Sequence, residues 1–238
     1  MNFISSNKMR AASLAVLLLG VVSVVIAYSL RPPKPQDIFI LSERTFTPSG
    51  GTIISEGTYM RLAKADGSYV DIKKLREPDG QIKTKTLFSE NERGVFSVDE
   101  KTQTLSFVSG WSRHAPISEA QFRSQPNFAG EGTVLGFRVF IVRQNHDDSS
   151  YTETYAAPDL QWELLKMVHH NEFGTTVVEA KEVKYGAEAR ASLAFTPPNL
   201  PISYDHYEKK IEDVKKTAPK NAEAMRQLLE EKRKQHQQ

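Results

Sequence analysis

The sequence predicts a mainly β protein: a curled antiparallel sheet, an incomplete barrel with short helices, preceded by one transmembrane helix and followed by a charged helical tail. Three observations lead there. Residues 11–30 are twenty consecutive positions without a charge. From residue 37 to 185, apolar runs alternate with Asp-Gly, Pro-Ser-Gly-Gly and Asn-rich turns at strand-like spacing. Beyond Pro197, Pro198 and Pro201 the composition changes abruptly to Glu, Lys, Gln and Ala.

The first element is the span. Twenty apolar residues make a helix of about 30 Å, the thickness of a bilayer core. Lys8 and Arg10 precede it in a ten-residue leader, the layout of a secretory signal or a signal anchor. Val25 with Ala27, or Ala27 with Ser29, would suit a signal peptidase. The full length of the span and the lack of a polar break before Arg31 favour the uncleaved anchor, with residues 1–10 cytoplasmic and the C-terminal part translocated. Residues 31–36, rich in proline, read as a stiff spacer. The expected location is the inner (cytoplasmic) membrane, single-pass, with the folded part in the periplasm or outside the cell.

The net charge of +2 hides a profile. Residues 1–35 carry four basic and no acidic groups, residues 36–204 carry 18 basic and 22 acidic, and residues 205–238 carry nine basic and seven acidic. A mildly acidic central block without a basic stripe in sequence argues against nucleic acid as a partner. The absence of cysteine excludes disulfides, thiolate zinc sites, a thiol nucleophile and a lipid attached through an N-terminal Cys.

In the β block, residues 37–202, strands are read at 37–46, 52–64, 69–72, 81–88, 95–98, 104–108, 133–143, 151–157, 161–170 and 175–185. Asp66-Gly67 and Asp79-Gly80 are the strongest hairpin signals. The pattern lapses between Ser109 and Gly130, where residues 117–123 suit one or two helical turns capped by Ser118. Apolar residues on both parities of 133–143 predict a central strand covered on both faces, with Leu135, Phe137, Val139 and Ile141 along one of them. Those four line either a ligand cavity or an ordinary core. In the tail, residues 203–238, Tyr204, Tyr207, Ile211, Val214 and Ala218 fall at helical spacing before Pro219, and Ala222, Met225, Leu228 and Leu229 continue the stripe. Such a tail binds a partner, associates with itself, or folds back on its own domain.

Chemistry is sparse. No HExxH, GxSxG, SxxK or Walker glycine loop occurs, so no catalytic residue, metal site or cofactor is assigned. His169 and His170 are adjacent in a predicted strand and point to opposite faces. His146, Asp147 and Asp148 read as a solvated turn. Trp111, Arg113 and His114, in the irregular loop, are the cluster placed where ligands are most often held; a hydrolase would have to use His114 with a carboxylate.

The order of features resembles exported bacterial lipoprotein-carrier, LolA-like half-barrels: a meander with Asp66-Gly67-Ser68, then Leu135-Gly136-Phe137, Ala157-Pro158-Asp159-Leu160, and the closing run 186–198. The likeness covers about residues 37–202. It implies an incomplete barrel that holds an acyl chain, a lipid or a lipid-modified protein against a helical lid. The membrane span and the charged tail depart from a free carrier. The alternative is an envelope interaction protein that binds a partner through its C-terminal helix.

Overall fold

The structure is a computed structural model that describes residues 36–77, 79–90, 93–110 and 118–237; the span at 11–30 and the Trp111, Arg113 and His114 cluster lie outside the described residues. Among the described residues no helix is long and apolar enough to cross a membrane. Residues 35–238 form one compact unit.

Twelve strands make a single unclosed sheet: β1 (Ile38–Pro48), β2 (Ile54–Ala63), β3 (Tyr69–Arg76), β4 (Ile82–Glu90), β5 (Gly94–Asp99), β6 (Thr104–Ser109), β7 (Phe128–Val134), β8 (Phe137–Asn145), β9 (Tyr151–Ala157), β10 (Glu163–Asn171), β11 (Gly174–Tyr185) and β12 (Ile202–Ser203). Their spatial order is β12-β6-β5-β4-β3-β2-β1-β11-β10-β9-β8-β7. Two meanders thus meet at the pairing of β1 with β11. All neighbours are antiparallel except β12 with β6, a short parallel pair placing Ile202 against Leu105. The helices are α1 (Glu119–Arg123), α2 (Gly186–Ser192), α3 (Asp205–Thr217) and α4 (Pro219–His236).

Side-chain chemistry explains most hairpins. Asp66, Asp79, Asp99, Asp147 and Asn171 each accept a backbone N–H two residues on, at 2.8–3.0 Å, closing an Asx turn. Asp147 also accepts from the Ser150 and Ser149 hydroxyls, and these bonds lower its pKa to about 2. Ser118 caps α1 through a reciprocal capping box with Gln121.

The hairpin of β7 with β8 lacks this signature, and there sequence and structure part. Leu135 and Gly136 form its turn at φ 51° and 81°, so the stretch read as one strand from residue 133 is two. β8 is second from the sheet edge, not central, although Val139 and Phe140 are buried on opposite parities, as a doubly covered strand requires.

Each face of β1 serves a different core. Phe39 joins one containing Leu62, Phe88, Phe107 and residues of α3 and α4. Ile38 and Ile40 join another with Val139, Ala157, Leu160 and Leu165. Curvature is visible in Arg61. In a flat sheet β2 and β10 would lie about 14 Å apart, three strand spacings, yet the Arg61 guanidinium meets Glu163 at 2.6 Å and Asp71 at 2.9 Å.

Candidate functional site

The first core contains a row fixed by strand register. Phe39 faces Leu62, Leu62 faces Val70, Val70 faces Phe88, Phe88 faces Phe96, and Phe96 faces Phe107. One apolar side chain from each of six consecutive strands therefore lies on the same sheet face, all at most 4 % exposed. Gly94 permits the close approach at one end: a Cβ there would stand 2.6 Å from the Phe107 ring.

Helices from the far end of the chain cover this row. Tyr207 and Ile211 of α3 and Ala222 and Leu229 of α4 are buried in it. Tyr207 meets Phe107 edge-on at 5.0 Å between ring centres, and Phe195, in the segment leading to the helices, meets Phe88 at 5.2 Å. Gly110, just after β6, makes room for Leu228, whose methyl would be 2.6 Å from an added Cβ. On the outer side, Arg226 pairs with Glu212 at 3.1 Å and Arg233 with Glu208, binding the two helices to each other. The tail thus takes the fold-back arrangement, with its apolar stripe spent on its own sheet.

His236 fastens the end of α4. Its Nε2 donates to the Arg93 carbonyl at 2.8 Å, so in the neutral ring Nδ1 accepts from the Tyr204 hydroxyl at 2.6 Å. The ring lies against Phe96, Phe107 and Tyr204. Burial lowers its pKa, the bond to the Arg93 carbonyl acts in the other direction, and the Arg93 and Lys232 charges lower it further.

At the margin of the cover, where the β2–β3 turn and the end of β4 adjoin Phe195 and Pro197, a cleft of about 760 Å³ reaches Val70 and Phe88 of the row. Lys64 and Arg93 stand at its lining together with Asp66 and Glu90, and Arg93 pairs with Glu90 at 2.9 Å. The arrangement offers an apolar floor with two cations and two carboxylates beside it.

Of the residues singled out from sequence, Leu135, Phe137, Val139 and Ile141 lie elsewhere. Val139 is fully buried in the second core, with Phe137 packed against that core. Ile141 is half-buried on β8, and Leu135 is 49 % exposed in the turn. The row itself could have been found by counting outwards from the turns: Leu62 and Val70 flank Asp66-Gly67 almost symmetrically, and Val70 and Phe88 flank Asp79-Gly80.

Polar groups away from the row contact one another within the sheet. Burial works against the Arg61 charge, but Glu163 and Asp71 outweigh it and hold the guanidinium pKa above its ordinary value. His146 and His169 share the Thr152 hydroxyl at 2.9 and 3.0 Å, and His170 bonds Thr175 at 2.8 Å. Among the described residues no three His, Cys, Asp or Glu side chains converge as a metal site requires.

No protein-family model and no curated protein matches the chain. Similar solved structures include LolA superfamily proteins: one from Nitrosomonas europaea has 10 % identity, a TM-score of 0.30, and covers 71 % of this chain and 90 % of that one. An uncharacterized conserved protein from Thermus thermophilus has 11 % identity and a TM-score of 0.42, covering 71 % and 91 %. The Pseudomonas aeruginosa MucA/MucB complex structure gives 16 % identity and a TM-score of 0.36, covering 65 % of this chain and 53 % of that one. At these values function has to be argued from the chain's own residues.

Proposed function

We propose that the protein is a non-catalytic binding module, tethered to a membrane by residues 11–30 with its β domain on the extracytoplasmic side, that takes an acyl chain, lipid or lipid-modified protein onto the six-strand apolar row. The observation that carries this reading is the way the row is closed. A sandwich would cover such a face with a second sheet; here a two-helix cover does so, and a cleft at its margin already reaches Val70 and Phe88. The anionic end of the ligand meets Lys64 and Arg93 at that margin in competition with Asp66 and Glu90, and its tail follows the row by displacing Phe195 and the helices. Leu135, Phe137, Val139 and Ile141 fall outside this path, and Trp111, Arg113 and His114 remain candidates for the rim.

The test is binding by residues 36–238 of a fluorescent fatty acid such as parinaric acid, together with native mass spectrometry of protein purified without detergent. Saturable fluorescence, strengthened by Phe195→Ala, which removes a ring the ligand has to displace, and weakened by Lys64→Glu with Arg93→Glu, and a co-purifying lipid mass are expected. A clean apo mass with no saturable signal refutes the reading.

A further inference from the structure

Six large apolar side chains are exposed among the described residues, and four of them share one end of the sheet. Ile53 (72 % exposed) and Ile54 (50 %) lie at the turn from β1 to β2, Ile82 (62 %) at the turn from β3 to β4, and Phe173 (70 %) at the turn from β10 to β11. In the order β4-β3-β2-β1-β11-β10 these three hairpins are immediate neighbours. The other two, Leu135 and Leu164, are at the opposite end. Core packing does not account for an isoleucine left three-quarters in water.

Two of the tips are held together before any partner arrives. The Ser49 N–H donates to the Phe173 carbonyl and the Ser49 hydroxyl to the Glu172 carbonyl, both at 3.0 Å. Gly174 comes so near β1 that a Cβ would stand 2.3 Å from the Thr47 carbonyl oxygen.

Behind the third tip, β3 and β4 carry Lys73, Lys74, Arg76, Lys83 and Lys85, all exposed. Lys73 lies directly opposite Lys85 in register, a like-charge pairing that costs stability. Two acids at the same turn oppose these cations: Glu77 is 4.0 Å from Lys83, and Asp79, whose carboxylate accepts the Gln81 N–H, is the second, so the five cations outnumber them. Glu172 is the one acid beside Phe173 on its tip.

We propose that this end of the sheet docks on an anionic bilayer, with Ile53, Ile54, Ile82 and Phe173 entering the interface and the five cations of β3 and β4 meeting head-group phosphates. Apolar side chains that penetrate the head-group boundary, backed by cations, are the requirements of interfacial binding. An acidic polypeptide would satisfy the cations and leave three apolar tips in water. The surface is distinct from the apolar row, so it stands whether or not the row takes a ligand.

The test is co-sedimentation of residues 36–238, the compact unit without the predicted span, with phosphatidylcholine vesicles that contain or lack phosphatidylglycerol. Binding is expected only with phosphatidylglycerol, and it should weaken with salt. Neutralising Lys74, Lys83 and Lys85 to Gln should weaken it about fivefold per cation. Ile53→Ser with Ile82→Ser and Phe173→Ser should weaken it at least tenfold at unchanged melting temperature, the apolar contribution being comparable to that of the charges. Equal binding to both vesicle types, no binding at low salt, or full binding by the triple serine variant overturns the proposal. So does binding to polyglutamate as tight as to vesicles and indifferent to the serine substitutions.

Discussion

The two meanders that meet at β1 and β11 bury their apolar side chains by opposite means. On the β8 side, Phe140 is enclosed by near neighbours in sequence: Phe122 of α1, Phe128 of β7 and Trp162, with Trp162 stacked on Phe122 at 4.6 Å. On the β5–β6 side, Phe96 and Phe107 are enclosed by helices about a hundred residues further along the chain. A locally covered core opens only when its sheet opens. A core covered by a distant, separately connected helical pair has a second route, in which the pair lifts and the sheet remains.

The largest effect should come from the two central rings. Phe107→Ala and Phe140→Ala each remove a side chain with no exposure and should cost about 3–5 kcal/mol in denaturant unfolding. The two variants should separate by hydrogen exchange. The first is expected to speed exchange mainly in α3, α4 and β6, the second throughout β7 to β10. Identical exchange patterns would erase the distinction between the halves.

Leu229→Ala, on the cover itself, should cost about 2–3 kcal/mol and raise the fluorescence of a hydrophobic dye while near-ultraviolet signals from Trp162 persist. Loss of the Trp162 signal in parallel would mean that the cover cannot lift alone.

Arg61 ties β2 to β10 across the junction of the meanders. Arg61→Met leaves Asp71 and Glu163 facing each other without a cation, at an expected cost of about 2 kcal/mol, since the group is partly exposed. Adding Asp71→Asn and Glu163→Gln should recover most of that loss. Failure to recover would show that the guanidinium matters through packing, not charge.

A smaller gain is expected at the β7–β8 turn. Leu135 holds φ 51°, a conformation that glycine and asparagine adopt more readily. Leu135→Asn should stabilise by about 0.5–1 kcal/mol.

Acid should act on one half first. Because His236 has a lowered pKa in the folded protein, the unfolded chain takes up its proton first. The stabilising contribution is therefore complete above about pH 6.5, the ordinary histidine value, and is lost as pH falls from there through the lowered one. Exchange in α4 should accelerate over that interval in the wild type and not in His236→Gln. An unchanged profile in that variant would assign the acid response elsewhere.

How much of this was legible in the sequence follows from where the information lies. The Asx turns state both strand ends at once, so the hairpins around Asp66, Asp79, Asp99, Asp147 and Asn171 could be read directly. The β7–β8 hairpin could not, because a Leu in a left-handed turn has no favourable signal of its own and two glycines dilute the β7 pattern. The helical stripe of residues 204–229 was evident, but its destination was not. Helical spacing says that a face is apolar; only the six-strand register shows that a matching face exists on the same chain. The placement of Leu135, Phe137, Val139 and Ile141 on one face failed at its first member for the same reason that the hairpin was missed.

The origin of the cover at the end of the chain has a consequence for how the protein is made. Every residue of the apolar row precedes Ser109, whereas α3 begins at Asp205. At about 5–20 residues per second, a ribosome would spend roughly 5–20 s between completing the row and supplying the element that hides it. Throughout that interval the nascent chain displays its most adhesive surface, and a holding chaperone has its natural place there.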